Sequence, residues 1–298
     1  MEPLERGRTV DRAVTVAFAL SGGGNLGPMQ AGTVVALMEA GIQPDLLVGT
    51  SVGALNAAFL ASRPGLPGAE ALMAAWICLK RRQAVRVSVL GAFGGFLGFR
   101  SHLLSDQSLR QLIREWITIE RIEEATIPLA VTATDALTGE CVLFTSGPTE
   151  DALVASAAIP GLFPTVSIGG RWLVDGSLSA NQPVRQAQQL GADDVYVIST
   201  RTAPRVRPPR GAIAVAMNSV SLVTSRVARE ELLEASRLAR AAEGHVWVVP
   251  TSEPEAPGPF DFRRSGQLAR EAYHRTQQWL AHELPDGPTP AIRSEHRS

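Results

Sequence analysis

Short apolar runs rich in β-branched residues alternate along this chain with segments whose apolar positions recur at helical spacing. The first run, AVTVAFAL over 13–20, is almost wholly apolar and reads as a strand buried on both faces. A helix is predicted from about Pro28, with proline in its first turn and Gly41 as its stop. DLLVG (45–49) is a second buried strand and VGALNAAFLAS (52–62) a second helix. Strand, helix, strand and helix in such short order predict a parallel sheet with helices on its faces.

Further along, helical patterns occupy 68–82 and 105–117, the latter capped and amphipathic. Between them AVRVSVLGAFGGFLGFR (84–100) is apolar and glycine-rich with no clear period. IPLAVTATD (127–135), ECVLFTS (140–146), RWLVDG (171–176), DVYVIST (194–200) and HVWVVP (245–250) supply further strands. Helices at about 182–190, 212–241 and 264–282 cover them. The pattern divides the chain into a polar leader (1–12), a single domain (13–284) and a disordered tail (285–298). No internal repeat and no linker composition interrupts the domain.

Composition narrows the classes. Hydrophobic residues make up 45% and charged residues 19% of 298 positions, a globular balance. A net charge of −1 gives no global pull toward nucleic acid. Cys78 and Cys141 stand far apart with no second pair, which yields neither a disulfide framework nor metal spacing. Asp193 and Asp194 precede a strand without partners at coordinating intervals, and no calcium loop occurs; neither metal nor cofactor is implied. No run reaches the roughly 18 apolar residues of a membrane span and the N-terminus lacks a signal-peptide core, so the expectation is a cytoplasmic protein.

Two glycine motifs carry the chemistry. Gly22-x-Gly24-x-x-Gly27 follows a strand and precedes a helix, as in dinucleotide-binding turns. The acidic residue that such sites place at the end of the second strand is missing, because Gly49-Thr50-Ser51-Val52-Gly53 stands there instead. Gly-x-Ser-x-Gly at a strand-to-helix junction is the context of a nucleophile elbow, with Ser51 raised above the sheet edge. Neighbouring parallel strands end side by side, so the Gly22, Gly23 and Gly24 turn can aim amides at an oxyanion formed on Ser51. The serine needs a base. Asp175, followed by Gly176, closes a short strand, while an order of Ser51, Asp175 and His245 would imitate a triad. A strand-edge role for His245 is the simpler reading.

GGGNLG, GTSVG and DGS in this order, with ASAAIPGLFPTV (155–166) and PLAVTATDALTGE, resemble the patatin-like phospholipase family over roughly residues 14 to 250. The resemblance implies an α/β protein, a three-layer α/β/α fold with a mostly parallel central sheet. It also implies a serine lipid acyl hydrolase of phospholipase A or esterase type, with a Ser51–Asp175 dyad and no histidine. The oxyanion hole would be Gly22, Gly23 and Gly24, supported by Gly27, Gly49, Gly53 and Gly176. Two positions depart from the family pattern: Asn25-Leu26 replaces a small residue and a Lys or Arg, and Ser177 follows the Asp-Gly pair.

The implied partner is a lipid or other acyl-ester substrate. Residues 87–99, preceded by Lys80, Arg81, Arg82 and Arg86, suit a lid or peripheral membrane loop; a buried helix and loop would explain them equally. An acyltransferase or thioesterase on the same fold, or a lipid-binding module without catalysis, are the competing functions. Physical chemistry requires an aspartate base to be shielded from water, since its ordinary pKa of about 3.9 makes it a weak acceptor at neutral pH. Asp175 is therefore expected to be partly buried within hydrogen-bond reach of Ser51.

Overall fold

The computed structural model describes residues 15–79, 105–200, 211–241, 244–251 and 261–283. The expected leader and tail and the apolar segment 84–100 lie outside these residues. The described strands are β1 (Val16–Leu20), β2 (Leu46–Thr50), β3 (Leu129–Asp135), β4 (Cys141–Phe144), β5 (Val166–Ile168), β6 (Arg171–Asp175), β7 (Asp194–Ile198) and β8 (His245–Val249). The helices are α1 (Gly27–Glu39), α2 (Val52–Ser62), α3 (Leu66–Cys78), α4 (Gln107–Trp116), α5 (Thr149–Ser156), α6 (Val184–Gln189), α7 (Ala212–Ala241) and α8 (Ser265–Glu283).

The strands form one sheet in the order β5-β6-β3-β2-β1-β7-β8, with β4 also paired to β3. From β3 through β8 the ladders are parallel, whereas β4, β5 and β6 join antiparallel. Side chains alternate between two cores. Phe18, Leu20, Leu47, Val131 and Ile198 pack against α1, α2, α3 and α5. Ala17, Ala19, Val48, Ala130, Val195 and Val197 face α6 and Ala235 of α7. Each strand must satisfy both faces, hence the unbroken apolar runs. This is the expected three-layer α/β/α sandwich with a mostly parallel sheet.

Two elements were not anticipated. α5 opens after Pro148 with Glu150 and Asp151 in its first turn, and is fastened to α4 through Arg110 and Arg114. β5 pairs with β6 across Gly169-Gly170, both at positive φ (59° and 78°), a turn that tightens a two-residue hairpin. α3 begins at Leu66, two residues before the predicted start. The cap position of α4 is Asp106, whose side chain makes no capping hydrogen bond; Ser105 Oγ, one residue earlier, accepts the Gln107 amide at 3.2 Å. No helix among the described residues is long and apolar enough to cross a membrane.

A buried polar chain crosses the core below the carboxyl ends of the strands. Trp76 Nε1 donates to Asn56 Oδ1 (2.8 Å), and Asn56 Nδ2 donates to Gln30 Oε1 (2.8 Å) and the Gly27 carbonyl (3.1 Å). Gln30 Nε2 in turn donates to the carbonyls of Ser21 (2.8 Å) and Ile198 (3.1 Å). Gln30 and Asn56 have no exposure and Trp76 only 2%, so each bond replaces one that water could not supply. Trp76→Phe removes a donor and strands a buried acceptor. It should cost about 1–3 kcal/mol in chemical denaturation; an unchanged midpoint would show that the chain adds no stability.

Candidate active site

β1, β2 and β7 run parallel, so their carboxyl ends deliver three loops to one edge of the sheet. β2 ends at Thr50, opposite Thr132 of β3. One residue further along β3, Ala133 pairs with Asp175 of β6. β4 pairs with β3 across both stretches, from Val131 to Thr134, and therefore fills its other edge. β2 and β6 consequently share one edge of β3, end to end, from opposite directions. Ser51 leaves β2 where Asp175 arrives on β6, and Ser51 Oγ donates to Asp175 Oδ2 at 2.7 Å.

The turn at Ser51 is steep. Its backbone, at φ 54° and ψ −122°, is the one non-glycine positive φ among the described residues. That conformation costs an L-residue energy and persists only where the surroundings impose it. α2 departs so tightly that a Cβ on Gly53 would lie 2.2 Å from the Leu20 carbonyl oxygen, and one on Gly49 2.5 Å from Ala54 Cα. The Ser51 amide donates to Ser156 Oγ at 2.8 Å, at the end of α5.

Asp175 is 2% exposed and its partners are few. Burial pushes its carboxyl above the ordinary aspartate range, opposed by donors from the Ser177 amide and hydroxyl and from Ser51. The Ser177 amide reaches Oδ1 at 2.8 Å. The Asp175 backbone is held on both sides, its amide by the Ala158 carbonyl (2.9 Å) and its carbonyl by Thr134 Oγ1 (2.9 Å). Gly176 fits beneath because a Cβ there would meet the Thr132 carbonyl oxygen at 2.5 Å.

The glycine loop lies alongside. A Cβ on Gly22 would lie 3.5 Å from Ser51 Cβ and 2.7 Å from Asn181 Oδ1. The Gly22 amide donates to the Asn181 carbonyl at 3.1 Å, and its carbonyl accepts Thr200 Oγ1 at 2.5 Å. Gly22 is thus a structural member of the loop. Gly23 and Gly24 amides donate to no acceptor among the described residues, and the Val52 amide at the start of α2 is in the same condition. Gly27 abuts Trp76 and Val52. Asn25, at the position where the family pattern is small, turns into the fold: its Nδ2 donates to the Asp261 carbonyl at 2.9 Å. Leu26 packs with Met29, Leu268 and Ala272.

His245 sits elsewhere. It opens β8 opposite Asp194, at the amino end of the sheet, with its exposed ring 3.1 Å from Asp194 Oδ1. The triad order in the sequence has no counterpart in space. Neither His274 nor His282 on α8 is hydrogen-bonded to Ser51 or Asp175 among the described residues. Among the described residues no group of His, Cys, Asp or Glu is arranged to hold a metal ion.

One buried acid lies behind the loop. Glu231 of α7 is 7% exposed and accepts the backbone amides of Gln182 (3.0 Å) and Asn181, the residue that secures Gly22. Burial raises its pKa to about 7, against a pull downward from those amides and Arg185. Sequence reasoning also passed over Ser156, Ala158 and Asn181, which act through single bonds to backbone atoms.

The patatin-like phospholipase family profile matches residues 18–187, and the chain belongs to that family. An uncharacterized NTE family protein of Mycobacterium tuberculosis is 30% identical over 187 residues, 62% of this chain and 48% of that protein. The lysophospholipase NTE1 of Mycosarcoma maydis is 28% identical over 197 residues, 65% of this chain and 10% of its own. The chain thus spans about half the length of the mycobacterial relative, and far less of the fungal one. Among solved structures, VipD from Legionella pneumophila aligns over 90% of this chain and 67% of its own, with 17% identity and a TM-score of 0.49.

Two stability tests isolate the features that set the site. Ser51→Gly and Ser51→Ala both lose the hydroxyl, but only glycine relaxes φ 54°, so Ser51→Gly should be the more stable by about 1 kcal/mol. Equal stability would mean that the turn is unstrained. Glu231 has a folded pKa of about 7, above its ordinary 4.5. It imposes no penalty below the unfolded pKa and an increasing one as pH rises through 7, on the order of 3 kcal/mol at full ionisation. Glu231→Gln should therefore gain thermal stability relative to the parent between pH 5 and pH 8; a difference constant with pH contradicts the buried charge.

Proposed function

We propose that this protein is a serine lipid acyl hydrolase of phospholipase A or esterase type, working through a Ser–Asp dyad. The observation that carries the reading is the 2.7 Å bond from Ser51 Oγ to a carboxylate removed from water, in a chain of the patatin-like phospholipase family. Ser51 Oγ attacks the acyl carbonyl carbon as Asp175 Oδ2 accepts the hydroxyl proton. The tetrahedral oxyanion is held by the amides of Gly23 and Gly24, with Val52 and the amino end of α2 as further donors. Collapse expels the alcohol or lysolipid, which takes the proton from Asp175 and leaves an ester on Ser51. Water, deprotonated by the same carboxylate, then releases the fatty acid and returns the proton to Ser51.

Burial makes this scheme workable for an aspartate. A carboxylate with three hydrogen bonds and free hydration is too weak a base, whereas desolvation raises its proton affinity toward the working range. Ser177 and Ser51 hold the ionised form in place, so the raised basicity does not come at the expense of orientation. Gly22 keeps the loop beside the serine through its bond to Asn181 and leaves the oxyanion contacts to its two neighbours.

Hydrolysis of p-nitrophenyl esters tests these roles. Ser51→Ala and Asp175→Asn should each lower kcat about a thousandfold or more, with His245→Ala unchanged. Since the ionised aspartate is the base, kcat/KM should rise with pH through an acid limb lying above the usual carboxylate range of about 3.9. Retained activity in Asp175→Asn, or its loss in a folded His245→Ala, would overturn the dyad.

A further inference from the structure

α7 is a 30-residue helix, about 45 Å long, whose two faces differ sharply. Its inner face buries Thr224, Ala228, Glu231, Ala235 and Ala239. The opposite face follows the same period through Val215, Leu222, Arg226, Arg229, Leu233, Arg237 and Arg240, all exposed. Half of the large hydrophobic side chains exposed on the described surface belong to this one helix: Val215, Leu222, Val223, Leu233 and Leu238. Leu222 and Leu233 are 66% and 58% exposed, so neither belongs to the core.

No acidic residue lies on that outer line. The nearest acids at its margin are engaged, Glu230 with Arg226 at 2.9 Å and Glu234 with Arg185 at 3.2 Å. Arg229, Arg237 and Arg240 have no ion pair among the described residues. The amino-terminal half of α7, Ala212 to Ser225, contains no charged residue at all. That half lies beside the site: α7 packs on the turn after Asp175, and the Thr224 carbonyl accepts Asn181 Nδ2 at 3.5 Å.

From this juxtaposition we infer that the outer face of α7 docks the enzyme on an anionic bilayer surface, with the uncharged half carrying the site to the lipid. The inference rests on the lipid acyl hydrolase reading above. Leucine and valine enter the boundary between head groups and acyl chains, while the arginines between them meet lipid phosphates. A nucleic acid would satisfy the arginines but leave the leucines in water. A second copy packed face to face would set the arginine line against itself, a like-charge contact without compensating acids.

Co-sedimentation with phosphatidylcholine vesicles, with and without phosphatidylglycerol, tests the docking using the full chain. Binding should require phosphatidylglycerol and weaken with salt. Leu222→Asp/Leu233→Asp and Arg229→Glu/Arg237→Glu should each lower the partition coefficient by about tenfold or more. Both variants should hydrolyse a soluble short-chain ester at the parent rate, which shows that they are folded. Failure of the parent to bind, binding indifferent to phosphatidylglycerol, or variants that bind like the parent would each overturn the docking surface. A parent dimer in solution that Leu222→Asp/Leu233→Asp dissolves would also overturn it, in favour of a copy-to-copy interface. If the parent binds as expected and the variants do not, but no ester is hydrolysed, the surface stands and the hydrolase reading falls.

Discussion

The site depends on how one strand divides its edge. β3 carries β2 as far as Thr132 and β6 from Ala133 onward, while β4 closes its other side. Two strands approaching from opposite directions must stop where they meet, and the residues at that junction are Ser51 and Asp175. Their 2.7 Å separation is thus a matter of register, which hydrogen-bonded ladders fix to a fraction of an ångström. Threonine hydroxyls fasten the junction from below. Thr50 Oγ1 donates to the Ala180 carbonyl at 2.6 Å and lies 2.7 Å from Thr132 Oγ1, and Thr134 holds the Asp175 carbonyl.

Such an arrangement concentrates unfavourable terms in a small volume. A serine is held at positive φ, a carboxylate is removed from water, and backbone amides are left open near the strand ends. Each would relax if the surroundings yielded. They are held by two apolar cores on either side of the sheet and by the fully satisfied Trp76–Asn56–Gln30 chain below it. Glu231 adds a second buried acid, whose bonds to the Asn181–Gln182 backbone secure Gly22 from behind. Stability in the body of the fold sustains strain at its edge.

Much of this is legible in the sequence. Apolar runs such as Ala17–Leu20 must be central strands, and Gly49 to Gly53 identify the elbow because close approach of α2 tolerates no side chain at either end. The pairing of Ser51 with Asp175 came from the family resemblance, since no spacing rule links residues on antiparallel β6 and parallel β2. What escaped notice acts through backbone atoms. Ser156, Ala158 and Asn181 each accept one hydrogen bond from the backbone amides of Ser51, Asp175 and Gly22, and an isolated serine, alanine or asparagine carries no local pattern. Nor does the sequence distinguish the three glycines, of which the first spends its amide on the Asn181 carbonyl. The edge strand β5 is three residues long, too short for alternation to register.

On the proposed mechanism Asp175, with no histidine, activates Ser51. The most direct test is the rate at which a serine-directed fluorophosphonate labels the protein across pH, with the adduct located by peptide mass spectrometry. The dyad should give one adduct, on Ser51, forming at a rate that follows ionisation of a carboxyl raised above its ordinary range and collapsing in Asp175→Asn. Labelling at another residue, or a rate that follows a group titrating near about 6.5 and ignores Asp175→Asn, would contradict it.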